Sequence, residues 1–138
     1  MESEIKIILK MNNKFIINLE NQFHGIHTRL KELHFSAPSI SVHKLIDEFD
    51  EEFCEFDDAF MENAQALWGF IKPGDLNPVL PEALEFENLL EDLRGISISI
   101  KRESSDSLMW TGIINRVDDF CETVNKYIYL IKITKNSK

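Results

Sequence analysis

Two cysteines in 138 residues, Cys54 and Cys121, are too few and too far apart for a disulfide framework, and no C-x-x-C pair suggests a zinc knuckle or redox centre. Both fall in amphipathic patterns and read as buried free thiols in a reducing compartment. The five glycines form no phosphate-cradling loop, and no serine occurs with a histidine and an acid in a strand-to-helix elbow, so P-loop and serine-hydrolase chemistry are poor readings. Histidine is absent beyond His43. Long apolar runs are also missing: Ile5 to Met11 is short and is broken by Lys6 and Lys10, which predicts neither a signal peptide nor a membrane span and a protein that stays in the cytoplasm. Positive charge is scarce, with 15 Lys and Arg against 24 Asp and Glu, a net charge of −9 and a pI near 4.9. That balance argues against general affinity for nucleic acid or anionic membrane and suits a collector of cations.

What is present is helical period. Ile8, Met11, Phe15, Ile16, Leu19, Phe23, Ile26, Leu30 and Leu33 recur at three- and four-residue steps up to Pro38, predicting one long helix. Val42, Leu45, Ile46, Phe49, Phe53, Phe56, Phe60, Ala64 and Leu67 predict a second, started by Ser36-Ala-Pro-Ser39. A third runs from Pro81 to about Arg102 on Leu84, Phe86, Leu89, Leu90, Leu93 and Ile96, although Ile96-Ser-Ile-Ser-Ile100 alternates as a strand would. The fourth spans about Asp106 to Ile133, with Trp110, Ile113, Val117, Phe120, Val124, Tyr127 and Ile131 on its seam. Short turns near Pro38 and Ser104-Ser105 make each pair an antiparallel hairpin. Between the pairs lies Gly69 to Pro81, which holds three of the four prolines and reaches roughly 45 Å when extended. The expectation is a single all-α domain over 1–138, a four-helix bundle with one long crossover between helices 2 and 3, the ferritin-like arrangement.

Against the apolar stripes one polar pattern stands out, His43-x3-Asp47-x10-Asp58-x3-Glu62, approached by His34 nine residues before it. Two nitrogen and three oxygen ligands suit a transition metal such as iron. His43 and Asp58 are fifteen positions apart, roughly 22 Å along a helix, so one subunit cannot close both on one ion. Two copies packed antiparallel about a two-fold axis near Glu51 to Cys54 would bring His43 of one to Asp58 and Glu62 of the other. An intrasubunit ferritin centre would need Glu-x-x-His on two helices, and the third and fourth segments have no histidine.

Leu30-Lys-Glu-Leu-His34-Phe together with His43-Lys-Leu-Ile-Asp47 through Asp57-Asp58-Ala-Phe-Met-Glu62 resembles the Dps-type mini-ferritins of the ferritin-like superfamily. The close likeness covers residues 30–62, and the rest is similar only in helix lengths and order. The resemblance implies a ferroxidase site shared across a two-fold dimer, with His34 and His43 from one subunit, Asp58 and Glu62 from its mate, and Asp47 as a ligand or an acceptor beside one. It further implies iron as the bound metal, oxidised by peroxide or oxygen, and a dodecamer of tetrahedral symmetry. The chain departs from the family in its shorter His34 to His43 step, in Phe35 where a tryptophan is usual, and in lacking a lysine-rich N-terminal tail. The shortened turn is the kind associated with bacteriophage-encoded ferritin-like proteins.

Other charged residues read more plainly. Asp50 and Asp57 are expected to be solvated, and His27, seven residues before His34 on the same face, offers an auxiliary iron site roughly 10 Å away. The acid clusters read as solvent faces or, in a cage, as a mineral-nucleating lining. Lys132, Lys135 and Lys138 are too few for DNA condensation against a body of −9, so DNA binding is not expected. The alternative to an iron-storage ferroxidase is a non-enzymatic helical structural or interaction protein, of a virus particle for instance, that keeps the bundle without metal chemistry.

Overall fold

The computed structural model describes residues 2–104 and 111–136, with side chains over 13–103 and 112–136. Four helices, α1 (Glu2–Phe35), α2 (Ile40–Trp68), α3 (Phe86–Ser104) and α4 (Thr111–Asn136), pack as a bundle, and no strand occurs among the described residues. The expected core positions Ile8, Met11 and Trp110, the turn at Ser105 and the expected helix start at Asp106 lie outside the described side chains or residues.

The turn between α1 and α2 follows from its residues. Ser39 is extended, and its Oγ accepts from the Val42 N–H at 3.2 Å, capping α2 behind Pro38. α2 ends where Gly69 takes φ 110°, a region that glycine enters without a Cβ penalty, and its N–H reaches the Gln65 carbonyl at 2.9 Å. α3 starts later than the sequence suggested, at Phe86 rather than Pro81. The Pro81 carbonyl accepts from Arg29 Nη2 at 2.9 Å, so this stretch is held against α1 before the helix begins, and Leu84 is left exposed. The strand-like run from Ile96 to Ile100 is helical. Ser97 makes this possible, because its buried hydroxyl donates to the Leu93 carbonyl at 2.9 Å and lets a polar residue occupy the inner face between Leu93 and Ile100.

Aromatic rings fill the centre. Phe23, Phe49, Phe53 and Phe60 are fully buried, Phe56 lies flat on Phe120 with centroids 4.0 Å apart, and Phe49 meets Tyr127 edge-on at 5.1 Å. Pairs of this kind contribute about 0.5–1.5 kcal/mol each beyond the area they bury. They bind α2 to α4, while Phe23 against Phe53 at 5.5 Å binds α1 to α2. Contacts run in opposite chain directions in each pair: His27 meets Asp50 and His34 meets Asp47, Phe49 meets Tyr127 and Phe56 meets Phe120, Arg94 meets Asn125 and Lys101 meets Asp118. Adjacent helices are therefore antiparallel. α1 and α3 barely touch, and a groove of about 850 Å³ opens between them, lined by Phe15, Ile26, Val79 and Ile96 among others. No described helix is long and apolar enough to cross a membrane.

The connection from α2 to α3 lies on α1. The Asn77 N–H donates to Asn21 Oδ1 at 2.6 Å and the Val79 N–H to the Asn21 carbonyl at 3.0 Å. At Gly25 the Val79 carbonyl comes so close that any Cβ would collide with backbone. Gly25→Ala, which in an open helix would stabilise, is therefore expected to cost about 1–3 kcal/mol through the forced backbone shift. Gly95→Ala in α3, where a Cβ would meet nothing within 4 Å, should gain about 0.5–1 kcal/mol. Urea midpoints moving in opposite directions for the two variants are the expected readout, and a gain at Gly25 would overturn the packing described here.

Candidate metal centre along the seam of the first two helices

Glu20, His27 and His34 are seven residues apart, two helical turns each, and line one face of α1. The antiparallel α2 answers with Asp57, Cys54, Asp50 and Asp47 in turn.

At the turn end, the His34 and His43 rings lie with centroids 3.8 Å apart. His43 Nδ1 is 2.9 Å from the His34 carbonyl, one of the last carbonyls of α1 and so without a helical donor of its own. Because a carbonyl only accepts, Nδ1 must carry the proton, which leaves the Nε2 lone pair of the neutral ring for a metal. His34 Nδ1 is buried without a hydrogen-bond partner, 3.9 Å from Asp47 Oδ1. Three of the five residues singled out from the sequence thus come together. Asp58 and Glu62 do not join them: they lie further along α2 on an exposed stripe with Asp47, Glu51 and Cys54, and neither makes a hydrogen bond or ion pair among the described residues.

Two turns further along the seam is a cluster that sequence reasoning missed. His27 Nδ1 is 3.1 Å from Asp50 Oδ1, its Nε2 is 3.3 Å from Asp57 Oδ2, and Cys54 Sγ is 3.7 Å from Nδ1. Phe53 stacks on the imidazole with centroids 4.1 Å apart. The expectation that Asp50 and Asp57 are solvated is corrected here: Asp57 is buried and Asp50 half-buried, because both turn into the seam toward His27. Cys54, expected to be buried, is exposed, and Cys121 is intermediate. The available signal was the seven-residue step from Glu20 through His27 to His34, matched by Asp50, Cys54 and Asp57 at i, i+4 and i+7.

Compared with known proteins, the chain matches no family model, no curated protein and no solved structure.

The seam is crowded with acid. Burial, and then the adjoining Asp57 carboxyl, push Glu20 up to about 9, so Glu20 keeps its proton at neutral pH. For His27 burial pulls downward, but the hydrogen bonds and charges of Asp50 and Asp57 outweigh it and hold the imidazolium up to about 9. Both groups bind protons more tightly in the folded chain than in the unfolded one. Their contributions are fully present below the unfolded values of 4.5 and 6.5 and are lost as pH rises to about 9. Stability should accordingly fall with rising pH across that window, and Glu20→Gln should remove the part that begins near 4.5. Urea titrations at a series of pH values check this. A midpoint that stays level, or rises, across the window would contradict the assignment.

Proposed function

We propose that the chain is a Dps-like iron-binding protein that oxidises and stores iron at a site shared by two copies across a two-fold axis. The observation that carries the reading is the His43 imidazole, whose Nδ1–H is committed to the His34 carbonyl and whose other nitrogen is thereby available beside His34 and Asp47. The topology supports it. With every adjacent pair antiparallel, α2 and α3 point the same way, and residues 69–85, tied to α1 at Asn77, Val79 and Pro81, suit a ferritin-like crossover. A further support is electrostatic: two copies joined along the Asp47 to Glu62 stripe would press acid on acid, and cations between them relieve that repulsion.

In this reading Fe²⁺ is substrate. His34, His43 and Asp47 of one copy, with Asp58 and Glu62 of a second, hold it, the imidazoles retaining Fe²⁺ and the carboxylates favouring Fe³⁺. Two Fe²⁺ each give one electron to a peroxide, whose O–O bond breaks and which leaves, with two protons, as two waters. Oxygen would serve as oxidant by taking one electron from each of four Fe²⁺ and leaving, with four protons, as two waters. The product then passes to acidic surfaces of an assembly for which a closed dodecamer is the expected form.

A second reading has its own observation: His43 already caps the end of α1 in a single chain, a structural task that needs no metal. A helical structural or interaction protein would use the residue in that way alone. Iron content after expression in iron-rich medium separates the two readings.

His43→Ala and Asp58→Ala are each expected to abolish rapid Fe²⁺ oxidation. The first should also lose about 1 kcal/mol of stability with its hydrogen bond, and the second, at an exposed position, almost none. Mixing the two proteins gives a dimer in which one site carries both defects and the other neither, so activity should partly return. No recovery once subunit exchange has been verified would exclude a shared site. Duplex DNA should not be retarded in a gel at about 0.15 M salt, where screening over about 8 Å leaves three C-terminal lysines little reach. Stoichiometric retardation would reverse that expectation.

A further inference from the structure

We propose that His27, Asp50 and Cys54 form a second divalent-cation site, of mixed nitrogen, oxygen and sulfur ligands and suited to Zn²⁺, in which Asp57 orients the histidine. It uses none of the five residues assigned to iron; Cys54 lies on the stripe along which two copies would join, so the ion would sit beside that joint, and its test reads this cation rather than iron oxidation.

The ligand atoms are already close to the required spacing. Nδ1 of His27, a carboxylate oxygen of Asp50 and Sγ of Cys54 all lie within 4.8 Å of one another. The edges of a tetrahedron built on Zn–N, Zn–O and Zn–S bonds are about 3.3 Å for nitrogen to oxygen and about 3.6 Å for nitrogen to sulfur. The corresponding distances from Nδ1 are 3.1 Å and 3.7 Å, so small side-chain shifts would seat an ion. Asp50 and Cys54 are one helical turn apart on α2, and the ring between them is fixed in its plane by Phe53.

Asp57 supplies the independent observation. Its side chain is 9% exposed, its Oδ2 faces His27 Nε2 at 3.3 Å, and its other oxygen is buried with no hydrogen-bond partner. A carboxylate held behind the far nitrogen of a histidine is the arrangement that fixes the tautomer and raises the basicity of a metal-ligating imidazole. With Nε2–H given to Asp57, Nδ1 is the nitrogen that gives up its proton, and its lone pair then faces Asp50 and Cys54. Cys54 is exposed on a cleft of about 420 Å³ that also contains His27 and Asp50, which provides both an entry path and room for a water as fourth ligand.

The donor set chooses the ion. A thiolate beside an imidazole excludes Ca²⁺ and Mg²⁺ and favours Zn²⁺ over Fe²⁺. Burial and the charges of Asp50, Asp57 and Asp58 hold the free thiol up to about 11, so a bound ion displaces the Cys54 proton, and the His27 proton on Nδ1, to solvent. Two positive charges on the ion replace the two protons released, so binding leaves the net charge of the seam unchanged while removing the imidazolium and thiol protons.

Co²⁺ is the probe, added to the full-length protein under non-chelating reducing conditions. One equivalent should produce a thiolate-to-cobalt charge-transfer band with the visible spectrum of a four-coordinate ion, and Zn²⁺ should bleach it. Cys54→Ser, a change at an exposed position, should lose the charge-transfer band with helical circular dichroism unchanged. Cys121→Ser and His43→Ala should keep the band. Asp57→Asn should keep it too but require about 10–100-fold more Co²⁺. Absence of the band in the parent protein, its survival in Cys54→Ser, or its loss in His43→Ala would overturn the site, whereas failure of iron oxidation alone would not touch it.

Discussion

The rotation of α2 about its own axis fixes nearly everything else in this molecule. Its buried face carries Phe49, Phe53, Phe56 and Phe60 against Phe23 of α1 and against Phe120 and Tyr127 of α4. Each residue advances the helix by about 100°, so a shift of one position would swing these rings out of the core. With the aromatic face pinned, Asp50 and Asp57 have to turn into the groove beside α1, and Asp47, Asp58 and Glu62 have to face solvent. The placement of the polar groups is therefore a by-product of ring packing, which is dense enough to resist rotation of the helix.

That rigidity sustains an arrangement that electrostatics alone would not favour. Glu20, Asp50 and Asp57 crowd around one imidazole, and the buried carboxylate oxygens of Glu20 and Asp57 lack hydrogen-bond partners. Buried acids without full pairing lower stability, so the packing around them has to offset that cost. At the turn end of the same seam His43 answers a helix-end carbonyl while keeping one nitrogen available, and His34 Nδ1 is left buried without a partner.

The bundle was legible in the sequence because apolar residues at three- and four-residue steps have few alternatives to amphipathic helices, and because Ser39 and Gly69 punctuate α2 in the usual way. The start of α3 was not, since the Arg29 hydrogen bond that holds Pro81 joins residues 52 positions apart. Ser97 concealed a helix for a related reason: whether its hydroxyl is satisfied depends on Leu93 one turn back, which an alternating hydrophobic pattern does not express. Among candidate site residues, the nearness of His34, His43 and Asp47 follows from a short turn, which their spacing in the sequence already implied. The burial of Asp57 was hidden because a lone acid beside Asp58 has the same local context whether it points to water or to a histidine thirty residues away.

The connection between the two hairpins divides into parts of unequal freedom. Residues 77–81 are tied to α1 by Asn21 and Arg29 and pressed onto Gly25. Just before them, Lys72 and Asp75 close a small turn on themselves, and Gly74 faces open space. Doubling the length of a free loop costs only about 0.6 kcal/mol. Lys72 to Asp75 is thus a natural splice point, where an epitope or a fluorophore could be carried on the surface while the seam and the aromatic wall behind it remain undisturbed.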